Sequence, residues 1–391
     1  MRIRRAGPDV TAPSAGITGT PFRLLLGATM LGFGGYALLL PVVPLWVARS
    51  GAGELGAGMT TGVLMLLTIT AQLTVPWLLV HCGHRAVLGA GMALLGAPTP
   101  LLMLSADLVP VLAVAAVRGI GFGLLTVAGG ALLAELVPPA GHGRAAARYG
   151  LAVGVPQLVL LPAGVAVVDA LGFPIVFAAA GLAPVLGALI VPAIRVPGAR
   201  RGGAPTTDRG GLRGQAGMAA GPVLAMLTCA LAQGGLITFL PLAVPGAGLL
   251  VAAALLATAA GALLGRVIAG ELVDRRGLGG HLMRPGTLLA GAGMAGEVLA
   301  VTVGGGALVV IGAAAVGVGF GLVQNDALTA LFSTAGPARY GAASAAWNIA
   351  YDTGTGLGAV GLGALAQPFG FGIAFSASAL LLCGSAARAR K

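Results

Sequence analysis

The chain has 391 residues, of which 57% are hydrophobic and only 8% are charged, and its mean hydropathy is +0.99. A soluble domain has about a quarter of its residues charged, so this composition excludes a water-soluble globular protein. The formal charge of +11 comes from basic residues dispersed between apolar runs, which excludes a compact basic domain that binds nucleic acid.

Uncharged apolar runs divide the chain into twelve predicted membrane-spanning helices, numbered here as spans 1 to 12. A helix needs about 20 apolar residues to cross roughly 30 Å of hydrocarbon. A membrane strand would have about ten residues of alternating polarity, a pattern that these runs lack. The fold class is therefore an all-α membrane protein, with spans predicted at 23–48, 56–80, 86–105, 108–135, 146–168, 173–194, 218–244, 248–273, 285–304, 306–332, 340–366 and 369–387.

Span 4 contains a buried charge, Arg118. Counting from residue 108 places it about 15 Å into the bilayer, where a charge is costly and indicates a functional site by default. Two interpretations are open for this arginine. It takes part in proton coupling or attracts an anion, or it braces neighbouring helices through their backbone carbonyls.

A polar segment rich in Gly, Pro, Thr and Arg follows span 6 and predicts a linker between two halves. Short patterns recur in both halves, since 34–35 matches 234–235 and 119–124 matches 317–322 at offsets of 200 and 198. These repeats indicate a duplicated six-helix unit. The predicted organisation is a tail (1–22), a first bundle (23–194), a linker (195–217), a second bundle (218–387) and a short tail (388–391).

The distribution of basic residues predicts the orientation of the spans. Of 22 lysines and arginines, 19 fall on the side of the two termini and Arg49 alone falls on the other side. Cytoplasmic segments are enriched in these residues. Both termini and the linker are therefore predicted to be cytoplasmic, in a protein of the plasma membrane.

The loop after span 8 carries the most specific motif, Gly270-Glu-Leu-Val-Asp274-Arg275-Arg276-Gly277. It matches G-x-L-x-D-R-x-G, and with it the chain resembles the major facilitator superfamily over nearly its whole length. The resemblance implies two pseudo-symmetric six-helix bundles, and a gating loop whose acid and arginines pair and cap helix ends when one face closes.

The first half carries a weaker copy of this loop, from Pro76 to Arg85, with Val80 where the acid belongs. The first-half loop is therefore expected to stabilise the closed face less than the loop after span 8. His81 and His84 in this copy are interpreted as polar interface residues. The cysteines also lack metal-ligand spacing, so we predict no metal and no cofactor.

Polar side chains concentrate in spans 10 and 11. Asn348 and Asp352 are one helical turn apart on a shared face, with Tyr351 beside them. Asp352 lies near the midplane, where an acid is predicted to carry the coupling proton or the substrate's positive charge; permanent pairing with a neighbouring helix is the alternative. Asp326 lies nearer the cytoplasm and is expected to pair with arginines of the gating loop. Gln72 in span 2 is expected to form an interhelical hydrogen bond.

The sequence contains no phosphate-binding loop and no nucleophile constellation, so it predicts neither an enzyme nor an ATP-driven pump. With the partial likeness of Gly150 to Pro156 in span 5 to an antiporter signature, the leading prediction is proton-coupled efflux of a small amphipathic compound. The alternative is proton symport of a sugar or small carboxylate. The expected partners are that small molecule, protons and the lipid bilayer, with the chain as a monomer and no nucleic acid.

Overall fold

The computed structural model describes residues 18–138, 141–195, 212–335 and 339–388. Within these ranges every regular element is a helix, and ten continuous stretches are long and apolar enough to cross a membrane. Two of the stretches, Thr20–Cys82 with 63 residues and Ala342–Ala387 with 46 residues, are long enough to cross it twice. The all-helical fold with twelve crossings is thereby confirmed.

The helices have these bounds: Thr20–Leu39, Val42–Val47, Gly53–Cys82, His84–Gly96, Leu108–Leu136, His142–Leu171, Phe173–Ile190, Leu212–Ala243, Gly248–Arg276, Met283–Val303, Gly306–Ala335 and Tyr340–Arg388. The first two helices form span 1, the next nine form spans 2 to 10, and the last contains spans 11 and 12. Short turns of other helix types occupy Ala48–Ala52, Thr99–Met103 and Val191–Ala193.

Two glycines at equivalent places in the halves end the fifth and eleventh spans. Gly172 has a φ of 86° and Gly370 has a φ of 80°, a left-handed backbone conformation that strains residues with a Cβ. The two glycines are 198 residues apart, the same offset as in the repeated motif at 119–124. The duplication therefore extends from sequence patterns to the backbone conformation of the turns.

Glycines of the repeated motif also set the packing inside each half. A Cβ on Gly119 would lie 2.3 Å from the backbone oxygen of Leu64, and a Cβ on Gly317 would lie 2.2 Å from that of Thr258. Span 4 thus packs on span 2 in the same way that span 10 packs on span 8. Small residues at such contacts let membrane helices approach closely, which stabilises them through van der Waals packing.

Odd-numbered spans start at the face that holds the ends of the described chain, called here the terminal face, and even-numbered spans start at the opposite, distal face. On the distal side the two halves touch. A Cβ on Gly58 in span 2 would lie 2.2 Å from the backbone oxygen of Ala359 in span 11. A Cβ on Gly248 in span 8 would lie 1.8 Å from the Asp169 carboxylate at the end of span 5.

Two hydrogen bonds that join the halves lie between the distal face and the middle of the bundle. Gln367 accepts one from the backbone nitrogen of Leu55 at 3.1 Å, and Asp352 accepts one from Gln72 at 2.8 Å. This conformation is therefore closed on the distal side. The predicted tails and linker lie largely outside the described residues, so their placement stays a prediction.

Candidate functional site

A cavity of about 320 Å³ lies between the two halves. The wall from the first half is largely apolar and aromatic, with Phe33, Tyr36, Phe122, Tyr149 and Leu161 among its residues. The wall from the second half holds both charged side chains of the lining, and its polar residues are Gln233, Thr258, Arg266, Gln324, Asn348 and Asp352. The cavity is therefore amphipathic, and its charge lies on the wall from the second half.

Asp352 lies in this cavity and is 2% exposed. Its Oδ2 accepts a hydrogen bond of 2.8 Å from Nε2 of Gln72, which also lies 3.3 Å from Oγ1 of Thr126. The interhelical bond predicted for Gln72 is confirmed, and it crosses from one half to the other. None of the described cations forms an ion pair with Asp352. One hydrogen bond between the halves is thus accepted by a group that can bind a proton.

Asn348 and Tyr351 line the same cavity, as their spacing from Asp352 predicted. The Tyr351 ring lies 5.8 Å from the Phe320 ring and 6.2 Å from the Trp347 ring, measured between centroids. The Asn348 amide nitrogen donates to the backbone oxygen of Ser344 at 2.9 Å, which leaves its carbonyl oxygen for other contacts. The structure therefore brings three of the predicted site residues together.

Arg118 does not line this cavity. Its Nε donates to the backbone oxygen of Leu95 in span 3 at 3.2 Å, and it borders a separate void of about 20 Å³. Tyr36 lines both spaces and stacks on Phe122 with centroids 3.9 Å apart. The orientation of span 4 turns the guanidinium towards span 3, so the structure separates Arg118 from Asp352 and favours the bracing interpretation.

Arg266 is the cation that sequence reasoning did not assign to the site. It lines the cavity from span 8, and its Nε donates to Oε1 of Gln324 in span 10. The helix continues ten residues beyond it to Arg276, which places Arg266 about 15 Å from the helix end. The sequence did contain a signal for Arg266, because a charge inside an apolar span indicates a functional site by default.

Asp326 corrects an expectation. Its carboxylate accepts hydrogen bonds from the backbone nitrogens of Gly280, Leu282 and Met283 at 2.6, 2.7 and 2.9 Å. These bonds use both carboxylate oxygens. Asp326 therefore binds the backbone of the loop before span 9 and not the arginine side chains of the gating loop. The physical reason is that free N–H groups at a helix start attract a carboxylate.

Asp326→Ala is expected to lower the melting temperature of the purified protein. The change leaves three backbone donors without their acceptor, at a cost of about 1–3 kcal/mol for each donor that stays buried. Thermal unfolding in detergent measures the effect. Asn325→Ala, which truncates the neighbouring side chain and leaves the carboxylate in place, is the control. Equal melting temperatures for the two variants would contradict the assignment.

In this conformation the described side chains of the gating loop form no pair across the terminal face. Gly277 ends the helix with a φ of 64°, and Arg275 pairs with Glu271 one turn earlier in the same helix. A Cβ on Gly270 would meet nothing within 4 Å, so this glycine makes no close helix contact in this conformation. Arg276 is exposed, and the side chain of Asp274 lies outside the described part of the chain.

Comparisons with known proteins agree with this architecture. The family model described as Major Facilitator Superfamily matches residues 25–359. Comparison with curated proteins gives no match.

Solved structures show a similar fold. A bacterial homolog of the human lysosomal transporter Spinster, in an inward-facing and occupied conformation, has 18% identity and a TM-score of 0.76, covering 94% of this chain and 95% of that chain. The peptide transporter POT has 14% identity and a TM-score of 0.78, covering 96% and 95%. A POT family transporter in complex with 5-aminolevulinic acid has 14% identity and a TM-score of 0.76, covering 96% and 97%.

Proposed function

The chain belongs to the major facilitator superfamily, and we propose that it is a secondary active transporter that exports a small amphipathic compound in exchange for protons. One observation carries the proposal. The hydrogen bond from Gln72 to Asp352 joins the two halves at the wall of the solute cavity, through a group that can bind a proton. Proton binding and the contact between the halves are therefore linked.

The sign of this link fits exchange. An ionised Asp352 accepts a charge-assisted hydrogen bond from Gln72, and such bonds are roughly twice as strong as neutral ones. The ionised form thus stabilises the conformation that is closed at the distal face. With cytoplasmic termini, this conformation faces the cytoplasm, where an antiporter releases its proton and takes up its substrate. A proton taken up while the distal side is open neutralises Asp352, and its release to the cytoplasm after closure restores the ionised form that keeps the distal side closed.

The gating loop belongs to the same cycle in this proposal. When the terminal face closes, Gly270 allows the close helix approach, Asp274 and Arg276 form the pairs across the face, and Gly277 keeps the turn. Arg275, now paired with Glu271 on the surface, is released at little cost, because exposed ion pairs contribute only about 0–1 kcal/mol.

Transport in sealed vesicles tests the function. Antiport predicts that inside-out vesicles with an acidic lumen accumulate the substrate, and that a protonophore abolishes the accumulation. The alternative, symport of a sugar or a small carboxylate, predicts accumulation in right-side-out vesicles with an acidic exterior. Accumulation that persists without any pH gradient would contradict proton coupling in both forms.

Cysteine labelling tests the orientation that this cycle requires. In a variant without Cys82, Cys229 and Cys383, Thr206→Cys in the linker is expected to react with an impermeant maleimide only after the cells are permeabilised. The control is Asp107→Cys, which is exposed at the distal face and should react in intact cells. Labelling of the linker in intact cells would reverse the assigned orientation.

A further inference from the structure

Among the described residues, Arg266 has no counter-ion. Its Nε donates to the neutral Gln324, and none of the described carboxylates forms an ion pair with it. An unpaired charge at membrane depth is costly. Asp352, the other charged group of the cavity, is bonded to Gln72 instead. An anionic group bound in the cavity would remove this cost at Arg266.

The free hydrogen-bonding groups beside Arg266 are donors. Arginine can only donate, so the Gln324 atom that faces its Nε must be the carbonyl oxygen, which leaves the Gln324 amide nitrogen as a donor. That nitrogen and the terminal nitrogens of Arg266 are bonded to no acceptor among the described residues. A ligand that satisfies them has to bring acceptors. A carboxylate offers two acceptor oxygens and matches the planar fork of the guanidinium.

Asp352 offers the opposite chemistry in the same cavity. Its Oδ2 is occupied by Gln72, whereas its Oδ1 has no hydrogen-bond partner among the described residues. A carboxylate oxygen accepts from an ammonium group. The cavity thus holds one acceptor site and one donor site of opposite charge that are not bonded to each other.

The wall from the first half gives the third element of recognition. The Phe122 ring lies 5.5 Å from the Phe33 ring and 3.9 Å from the Tyr36 ring. Aromatic faces in such a cluster bury an apolar body. The cavity of about 320 Å³ leaves room for a small molecule that spans both walls.

We propose that the substrate is an amphipathic zwitterion. Its acidic group binds Arg266 and Gln324, its ammonium group binds Oδ1 of Asp352, and its apolar body lies on Phe33 and Phe122. This inference rests on the proposed transport function, because it names the substrate class of the same cavity. It also explains the exchange, since the ammonium group and the proton compete for Asp352.

Calorimetric binding to the purified protein in lipid nanodiscs tests the proposal without any gradient. The probes are three compounds with one hydrocarbon skeleton, L-phenylalanine, L-phenylalaninamide and 3-phenylpropionate, and the matching series with an indole ring. In at least one series the zwitterion is expected to bind about tenfold or more tightly than either singly charged analogue, as expected for a hydrogen bond to a charged group. Equal binding within both series, or no binding of either zwitterion, would overturn the proposal.

Two variants assign the charges. Arg266→Gln is expected to weaken binding of the zwitterion about tenfold and to leave the amide within about twofold. Asp352→Asn is expected to weaken the zwitterion similarly and to leave the propionate unchanged. Arg266→Lys keeps the charge and should retain the preference for the zwitterion over the singly charged analogues. It tests the role of the charge if Arg266→Gln does not fold. Arg23→Gln, at the exposed start of span 1, is the matched control.

The outcomes separate this inference from the proposed function. Zwitterion binding without transport driven by a pH gradient would leave the substrate class standing and overturn proton coupling. Transport of L-phenylalaninamide alone under a pH gradient would leave proton coupling standing and overturn the substrate class. A wild-type response of the zwitterion in Arg266→Gln would overturn the role of Arg266 whatever the transport result.

Discussion

Asp352→Asn is expected to abolish accumulation driven by a pH gradient while leaving exchange of substrate between the two sides of the membrane at saturating substrate concentrations. Asparagine has nearly the same shape and still accepts a hydrogen bond from Gln72, but it cannot take up a proton. The link between proton binding and the contact of the halves is then lost. Coupling free energies of about 1–3 kcal/mol, or 5- to 150-fold in equilibrium terms, are typical of such links.

The measurement compares pH-driven accumulation with counterflow in vesicles that contain equal amounts of each protein. Asp107→Asn is the matched control, because it removes a carboxylate that is exposed outside the cavity. Asp107→Asn should accumulate substrate to the same level as the unsubstituted protein. If Asp352→Asn still concentrates substrate under a pH gradient, Asp352 is not the coupling group.

Gly58→Ala is expected to open the distal face. The new Cβ would lie 2.2 Å from the backbone oxygen of Ala359 and 2.8 Å from its carbonyl carbon, so spans 2 and 11 cannot close as they do here. Overpacking of this kind costs about 1–3 kcal/mol. Because each 1.4 kcal/mol is about a factor of ten, the ratio of distal-open to distal-closed molecules should rise by roughly one to two powers of ten.

The rate at which an impermeant thiol reagent reaches a cysteine in the cavity measures this shift. Ala259→Cys supplies the thiol, since residue 259 lines the cavity. Addition of Gly58→Ala should speed its reaction from the distal side. Gly361→Ala is the control in span 11, because a Cβ there would meet nothing within 4 Å. Gly62→Ala should give a smaller effect, since its Cβ meets the end of the Val360 side chain. Equal rates in all variants would contradict a close contact at Gly58.

The difference between Arg118 and Arg266 shows where sequence reasoning stops. Each is a single cation deep in an apolar span, and only Arg118 was predicted from the sequence to be a site residue, from its depth in span 4. The rotation of each helix decides which one reaches the cavity, since Arg118 turns towards Leu95 and Arg266 turns towards Gln324. Helices that are apolar on nearly all sides carry little periodic signal for that rotation.

The sequence by itself determined the helical class, the twelve spans and the duplication. In hydrocarbon every backbone polar group must be bonded within its own segment, so long apolar runs have only one structural outcome. It also placed Asn348, Tyr351 and Asp352 together, because residues three and four apart share a helix face.

Only the tertiary structure decided which residues meet across the chain. Gln72 and Asp352 are 280 residues apart, and Asp326 binds a loop 43 to 46 residues earlier. These contacts depend on how the two halves dock and on where a loop backbone runs. Neither leaves a periodic pattern in one sequence, because docking is set by the summed packing of many small residues at helix surfaces.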